Sequence, residues 1–372
     1  MQHVADGPLG ASRPLKGLRV VELASVLAGP LVGTFFSELG AEVIKVEHPG
    51  TGGDVTRQWR TAGEKSDGPS AYYAAANGPK AVKLLDLMNP DDREVLDVLL
   101  RDTDILIQNF KPSSLAKLRL EPAGLAIRHP RLIHIHLMGF LNEPDRAGYD
   151  MVVQAETGFM SLNGEPGNAP FRMPVALMDV LAAHQMRSAA LLALWERERD
   201  GLGSHLEVWL DASGLSALAN RATEYLVNGE DPAPLGALHP QIAPYGEAFE
   251  CACGQQLVLS VGNDRQFRGL CALLDLPELS GDTRFRDNPS RVRHRAALAV
   301  QLAPAFGRLR ADLIMERAAE TGVPMGRLKG VAAALEDETG HSMTHHFDLE
   351  GHGVRNVRQV AFRIQRNGNL IT

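Results

Sequence analysis

Residues 18–23, Leu-Arg-Val-Val-Glu-Leu, form a short valine-containing run between Gly17 and a stretch of small residues, and a helix and a second apolar run follow at once. This succession constrains the fold more than any other feature of the chain. The first run reads as a buried strand. Ala28-Gly29-Pro30 opens a helix to Leu39, with proline in the first turn, where its missing N–H costs no hydrogen bond. Gly40 ends that helix, and Ala41 to Glu47 reads as a second strand, which completes a βαβ unit. The alternation continues with a helix near 90–101, a strand at 104–108, helices around 112–128 and a strand at 131–137. The expected class is α/β, with a doubly wound, Rossmann-like, mostly parallel sheet.

The second half changes character. From Asp179 to about Arg199 the sequence predicts one long helix, with Met186, Ala190, Ala193 and Leu194 on one side. Residues 200–204 break it, and Leu206 to Leu210 reads as a strand. The stretch 229–245 holds four prolines and two glycines and reads as a linker or crossover. Beyond it, 246–261 reads as a hairpin around Cys253-Gly254, and 264–320 is mainly helical. A smaller second domain is therefore expected.

Composition removes several classes of function. Lysine and arginine number 38 against 45 acidic residues, a net charge of −7, which argues against a nucleic-acid binder. No apolar run approaches the roughly 20 residues a spanning helix needs. Met1–Pro14 is polar and does not read as a signal peptide. Three cysteines, Cys251, Cys253 and Cys271, cannot pair fully, so a reducing cytoplasm is expected.

Several groups are candidates for chemistry, and each has a structural alternative. The turn Ala24–Pro30 lacks GxGxxG, so a nicotinamide fingerprint is absent, yet it ends at a helix N-terminus able to hold a phosphate. Lys45, His48, Arg57, Lys80, Lys83 and Lys117 are either scattered solvated charge or a patch that receives a phosphorylated nucleotide. Cys251-x-Cys253 with Cys271 lacks the second pair a zinc site needs. His341 and His345 can share a helix face, with His346 and His352 nearby, but a metal needs a third ligand there. Asp179, before the long helix, is either its N-cap or a covalent nucleophile. The residues alone leave both readings open.

In order and spacing these segments resemble the class III CoA-transferase family. The similarity runs through Leu15-Lys-Gly17, Ala28-Gly-Pro30, Gly40–Glu47, Gly53-Asp54-x-x-Arg57 and Asn109-Phe110-x-Pro112. Gly139-Phe140, Gly148-Tyr-Asp150, Gln154-Ala155-x-x-Gly158, Asp179 and Gly201-x-Gly203 follow, and then His239-Pro240, Pro244-Tyr245, Gly262-Asn-Asp264, Asn288 with Arg291, and Gly322-Val-Pro324. The resemblance implies a large domain built from both chain ends (1–215 and 321–372), a small domain at 216–320, and an interlocked homodimer. It implies transfer of CoA between an acyl-CoA and a free carboxylic acid, with CoA as substrate and product and with no metal or tightly bound cofactor.

The resemblance also implies roles for individual residues. Asp179 matches the nucleophilic aspartate. Ser25, Val26, Leu27, His48, Asn109, Phe110 and Lys117 fall on CoA-contact positions, and Lys80 is a further candidate inside an altered stretch, Asn77-Gly-Pro-Lys80-Ala-Val-Lys83. Gly139 and Phe140 are candidate donors for the tetrahedral intermediates. Succinyl-CoA with a small dicarboxylate is the expected substrate pair. Two alternatives remain in view: an isomerase related to the α-methylacyl-CoA racemases, whose histidine-bearing stretch reads Gly148-Tyr149-Asp150 here, and a CoA-ester binding protein without turnover.

Overall fold

The computed structural model describes residues 13–366 and 369–370. Residues 1–12, most of the segment read as lacking a signal peptide, lie outside the described residues. The chain forms two compact units. The first comprises residues up to Met160, Phe171–Pro232 and those from Leu335 on; the second comprises Ser161–Pro170 and Ala233–Ala334. The expected boundaries at 215/216 and 320/321 therefore shift. The helices Leu210–Ala217 and Ala219–Asn228 stay with the first unit, and the second extends through the strand Met325–Arg327.

The first unit is built on six strands: β1 (Arg19–Glu22), β2 (Glu42–Glu47), β3 (Ala81–Leu84), β4 (Ile105–Gln108), β5 (Ile133–Met138) and β6 (His205–Trp209). They lie in the order β3-β2-β1-β4-β5-β6, and every neighbouring pair is parallel. The order reverses between β1 and β4, so a crevice opens beyond their carboxyl ends, where doubly wound sheets bind ligands.

Apolar layers cover both faces. On one, α1 (Ala28–Glu38) and the long helix Leu177–Asp200 pack over Val20, Ile105, Ile133 and Ile135. On the other, Leu96, Leu100, Leu115 and Leu125 cover Val21 and Leu106. Helix α1 lies very close to β1. A Cβ at Gly29 would come 2.3 Å from the Ala24 Cβ, so only glycine permits this approach.

Beneath α1 the sheet carries charge. Lys45 Nζ donates to Glu22 Oε1 at 2.9 Å and to the Ala24 carbonyl at 2.8 Å, and lies 3.0 Å from Asp54 Oδ2. Lys80 Nζ donates to Glu22 Oε2 (2.8 Å), Pro30 O (2.7 Å) and Ala76 O (2.8 Å). Burial alone would lower the Lys45 ammonium, but the carboxylates of Glu22 and Asp54 outweigh it and hold the group above its ordinary value. Arg57 is likewise paired, with Glu47 at 2.7 Å and Glu350 at 2.8 Å. Three of the six basic candidates are thus neutralised internally and form neither solvated charge nor a phosphate patch.

In the second unit the expected hairpin is present, Tyr245–Glu250 pairing with Gln256–Ser260, and Met325–Arg327 adds a third antiparallel strand. Helices over 264–321 close a core of Phe249, Leu257, Phe267 and Phe306. Arg291 is fully buried. Its guanidinium donates to Ala243 O (2.9 Å), Phe285 O (3.0 Å) and Asp264 Oδ1 (2.6 Å), which ties the 229–245 crossover to this unit. The cysteines are unpaired; Cys251 and Cys271 are buried and Cys253 is exposed.

The histidines near the C-terminus need a correction. His341 lies on the short helix Glu338–Met343, whereas His345 is the second residue of a strand, Thr344–Leu349, paired antiparallel with His352–Val357. They share no helix face, and the expected spacing gives no metal site.

Glu22 is the one carboxylate shared by Lys45 and Lys80. Glu22→Gln should destabilise the protein by about 3–5 kcal/mol, because it leaves buried ammonium charge without its partner. Lys83→Gln, at an exposed position, should stay within about 0.5 kcal/mol. Urea unfolding of both variants measures the contrast; equal midpoints would show that the network carries no stability.

Candidate active site

Two loops meet at the switch point. Asn109, just beyond β4, accepts from the Ser25 N–H through Oδ1 (3.2 Å) and donates to the Ser25 carbonyl through Nδ2 (3.1 Å). Val26 follows with φ 74°, a conformation that a β-branched residue rarely adopts. Its N–H donates to Asp54 Oδ2 at 3.2 Å, and Asp54 is itself held by Lys45. The buried network therefore shapes the turn that precedes α1.

A cleft of about 390 Å³ opens at this turn, lined by Ser25, Val26, Asn109, Gly139, Tyr149 and Asp179, among others. A second, of about 470 Å³, lies alongside and is lined by Leu23, Val46, His48, Leu85 and Met88. Ser25 and Phe110 line both clefts.

Asp179 occupies the first turn of the long helix, which begins at Leu177 with Ala176 in the capping position. Asp179 is therefore not the N-cap. Asp150 fills that role from another helix: its Oδ1 accepts the Met178 N–H at 2.8 Å, and its carboxylate also takes the N–H of Asp179. Gln154 donates to Asp150 Oδ2 (2.7 Å) and accepts the Met173 N–H (2.7 Å), which fixes the strand of loop entering the helix.

The Asp179 carboxyl accepts the N–H of Ala28, the first residue of α1. Burial and the neighbouring negative charge of Asp150 nevertheless push it up to about 7. The same field, with burial foremost, raises the Tyr72 phenol to about 12. A carboxylate of raised basicity on a cleft wall, with a helix N-terminus beside it, is suited to attack a carbonyl and form an acyl bond.

The opposite wall depends on glycine. Gly139 and Gly148 approach so closely that a Cβ on Gly139 would lie 2.5 Å from the Gly148 Cα. Asp211 accepts the Leu141 N–H (3.1 Å), and the Asp211 N–H donates to the Gly139 carbonyl (3.1 Å), which holds the turn after β5.

Similarity to known proteins identifies the family of the chain. Residues 15–369 match the model of CoA-transferase family III. The chain belongs to that family. It is 37% identical to a succinate–glutarate CoA-transferase of Agrobacterium fabrum, over 91% of this chain and 85% of that one. It is 34% identical to an acetyl-CoA:oxalate CoA-transferase of Acetobacter aceti, over 88% and 84%. A CAIB/BAIF family protein from Brucella suis has a similar crystal structure, with a TM-score of 0.82 at 36% identity, covering 97% of this chain and 94% of that one. The protein is a class III CoA-transferase.

Within this CoA-transferase the expected residues separate into groups. Ser25, Val26, Asn109, Phe110, Gly139 and Asp179 line the first cleft, and Ser25, His48 and Phe110 line the second. Leu27 packs against the core below α1 instead. Lys117 is exposed and lines neither cleft. Lys80 is fully enclosed, with its ammonium spent on Glu22 and two carbonyls, so it is not presented to a phosphate. Phe140 is buried beneath the Arg146 guanidinium, 4.1 Å from its ring centre, and does not line the Asp179 cleft. His184, the second base a racemase would need near Asp179, is exposed and lines neither cleft. Asp150, Tyr72 and the Ala28 N–H were given no role at Asp179 from sequence; the Gly148-Tyr-Asp150 motif held a signal for the first, and the Ala28-Gly-Pro30 motif at a helix N-terminus held one for the last.

A carboxyl raised to about 7 in the folded state, against 3.8 unperturbed, binds protons that the unfolded chain has already lost. Its ionisation therefore costs stability as pH rises from about 4 to about 7. Asp179→Asn keeps the hydrogen-bond acceptor and removes the charge. It should stabilise the protein by up to a few kcal/mol at pH 8 and by much less at pH 5. Urea unfolding at the two pH values checks this; an equal gain at both would refute the buried-charge account.

Proposed function

We propose that Asp179 is the nucleophile of this CoA-transferase and that the two clefts together hold the acyl-CoA. The observation that carries this reading is that Asp179 lies on a cleft sharing Ser25 and Phe110 with the more apolar one. In it, the nucleotide end of CoA rests by His48, Leu85 and Met88, and the pantetheine arm passes Ser25 and Phe110 to bring the thioester to Asp179.

The Asp179 carboxylate attacks the thioester carbonyl carbon. The C–S bond breaks, CoA leaves as thiolate, and the acyl group remains on Asp179 as a mixed anhydride. The thiolate then attacks the aspartyl carbonyl, releasing the donor acid as carboxylate and leaving CoA on Asp179 as a thioester. The acceptor acid runs these steps in reverse. Each intermediate carries an oxyanion, and the backbone at Gly139 and the α1 N-terminus at Ala28 supply the donors.

The likeness to a succinate–glutarate enzyme favours succinyl-CoA as donor and a small dicarboxylate as acceptor. Lys111, a cation on the Asp179 cleft, is placed to receive the distal carboxylate. The unpaired cysteines suit a reducing cytoplasm, and among the described residues no helix is long and apolar enough to cross a membrane.

With succinyl-CoA and a panel of acids that includes glutarate, the enzyme should form new CoA esters, read by mass spectrometry. Asp179→Ala should abolish transfer and leave CoA-ester binding within about tenfold, roughly 1.4 kcal/mol. Hydroxylamine added to wild-type enzyme and acyl-CoA should modify Asp179. A variant retaining more than a few per cent of the rate would remove Asp179 from this role.

A homodimer belongs to the same reading. Leu191, Leu192 and Trp195 stand exposed on the long helix, and Leu226 and Val227 on the next but one, at 78% and 76% exposure. These apolar faces suit burial against a second copy. Threaded chains separate only on unfolding, so light scattering should find a dimer even at nanomolar concentration; monomers there would contradict it.

A further inference from the structure

The far side of the sheet carries a second cluster that acyl transfer does not use. Strand β5 alternates. Ile133, Ile135 and Leu137 enter the core shared with α1 and the long helix, so His134 and His136 project from the opposite face. The β5–β6 register sets His134 beside His205 and His136 beside Glu207. One ring nitrogen of His136, one of His205 and a carboxylate oxygen of Glu207 all lie within 4.8 Å of one another.

The hydrogen bonds around the cluster fix each ring. Gln108 Oε1 accepts the Phe110 N–H (2.7 Å), so its amide nitrogen faces His134 Nε2 at 3.4 Å and donates to it. His134 then carries its proton on Nδ1 and donates to His205 Nδ1 at 3.1 Å. His205, accepting at Nδ1, carries its own proton on Nε2 and turns it to Glu207 Oε1, 3.4 Å away. His136 gives its Nε2–H to the Phe110 carbonyl at 2.8 Å and keeps the lone pair on Nδ1. His136 thus already presents a free nitrogen. His205 presents Nε2 once its proton sits on Nδ1 and is donated to His134 Nδ1 across the same 3.1 Å, with His134 in its other tautomer. This gives up only the long 3.4 Å contact with Gln108 and leaves each metal-facing ring donating its other N–H, as metal-binding histidines do.

We propose that His136, His205 and Glu207 bind a divalent transition-metal ion of the zinc type, at a site separate from the acyl-transfer cleft. Two imidazoles and one carboxylate form a ligand set that zinc takes in four-coordinate geometry, with the fourth position left to water. Ligands on a tetrahedral zinc with bonds of roughly 2.05 Å lie roughly 3.4 Å apart, the separation His205 Nε2 and Glu207 Oε1 already have. His136 is buried on a central strand, while His205 and Glu207 are exposed on the edge strand β6 and give the ion its route from solvent. The bound ion clasps β6 to β5 and, through the His136 ring, steadies the Phe110 carbonyl behind the clefts.

The test uses the tag-free, full-length protein stripped with chelator and titrated calorimetrically with Zn²⁺. One equivalent per chain is expected. His205→Gln and Glu207→Gln, both at exposed positions and checked for an unchanged circular dichroism spectrum, should each weaken binding at least tenfold, whereas His352→Gln should not. Co²⁺ should give the visible d–d bands of a four-coordinate site in the wild type and lose them in His205→Gln. The proposal falls if the wild type takes up no Zn²⁺. It falls equally if both β6 variants bind as the wild type does, or if Cys253→Ser abolishes binding instead.

Discussion

Glu22 brings a carboxylate to the end of β1 beneath α1, out of reach of water, and it is held there because two ammonium groups converge on it. Lys45 reaches it from β2 and Lys80 from the turn before β3, at 2.9 and 2.8 Å. A buried charge of either sign alone would be prohibitive. Together, and with Asp54 and the carbonyls of Ala24, Pro30 and Ala76, they satisfy one another. The network fastens β1, β2, α1 and the turn before β3 around one point. Through Asp54 it reaches the Val26 N–H and holds that residue at φ 74°. Backbone held in this way is a common means of pre-forming a ligand site, with the strain carried by the surrounding structure.

The architecture was legible where periodicity and punctuation coincide. The βαβ unit, β4, β5, the long helix and the hairpin around Cys253-Gly254 lie within a few residues of expectation, because apolar runs and glycine or proline breaks mark them. Elsewhere the signal was weak or misleading. Strand β3, Ala-Val-Lys-Leu, lies at the edge of the sheet and is largely exposed, and its four residues are too short a run to mark it as a strand. The His341–His345 spacing fits a helix face, but the chain passes into a strand at Thr344.

Charged residues were the least legible. Lys45, Arg57 and Lys80 carry no mark that separates a buried ion pair from a phosphate contact, since the partner that decides it lies 23, 10 or 58 positions away. Asp179 posed the same difficulty at a single residue. Its position near a helix start suits a cap, and the cap turns out to be Asp150, 28 residues earlier than Met178. Sequence resemblance named the residue; only three-dimensional placement shows why its carboxyl differs from an ordinary capping aspartate. Had Asp179 been the cap, its oxygens would be turned back onto the helix and unavailable to the cleft.

Asp150 acts on Asp179 in two opposing ways. Its oxygens order the first turn, and so fix where Asp179 points, while its charge joins burial in making the Asp179 anion costly. In the proposed reaction that cost is useful. Burial penalises the ionised carboxylate by the same free energy that raises its pKa to about 7, on the order of a few kcal/mol. The anhydride and the thioester carry no charge on Asp179, so they escape the penalty that the free carboxylate bears. The site therefore moves the covalent intermediates closer in energy to the resting enzyme, and it makes the attacking oxygen more basic at the same time. An exposed aspartate would keep its solvation, and the first acylation, the step that removes its charge, would then lose the amount that burial contributes here.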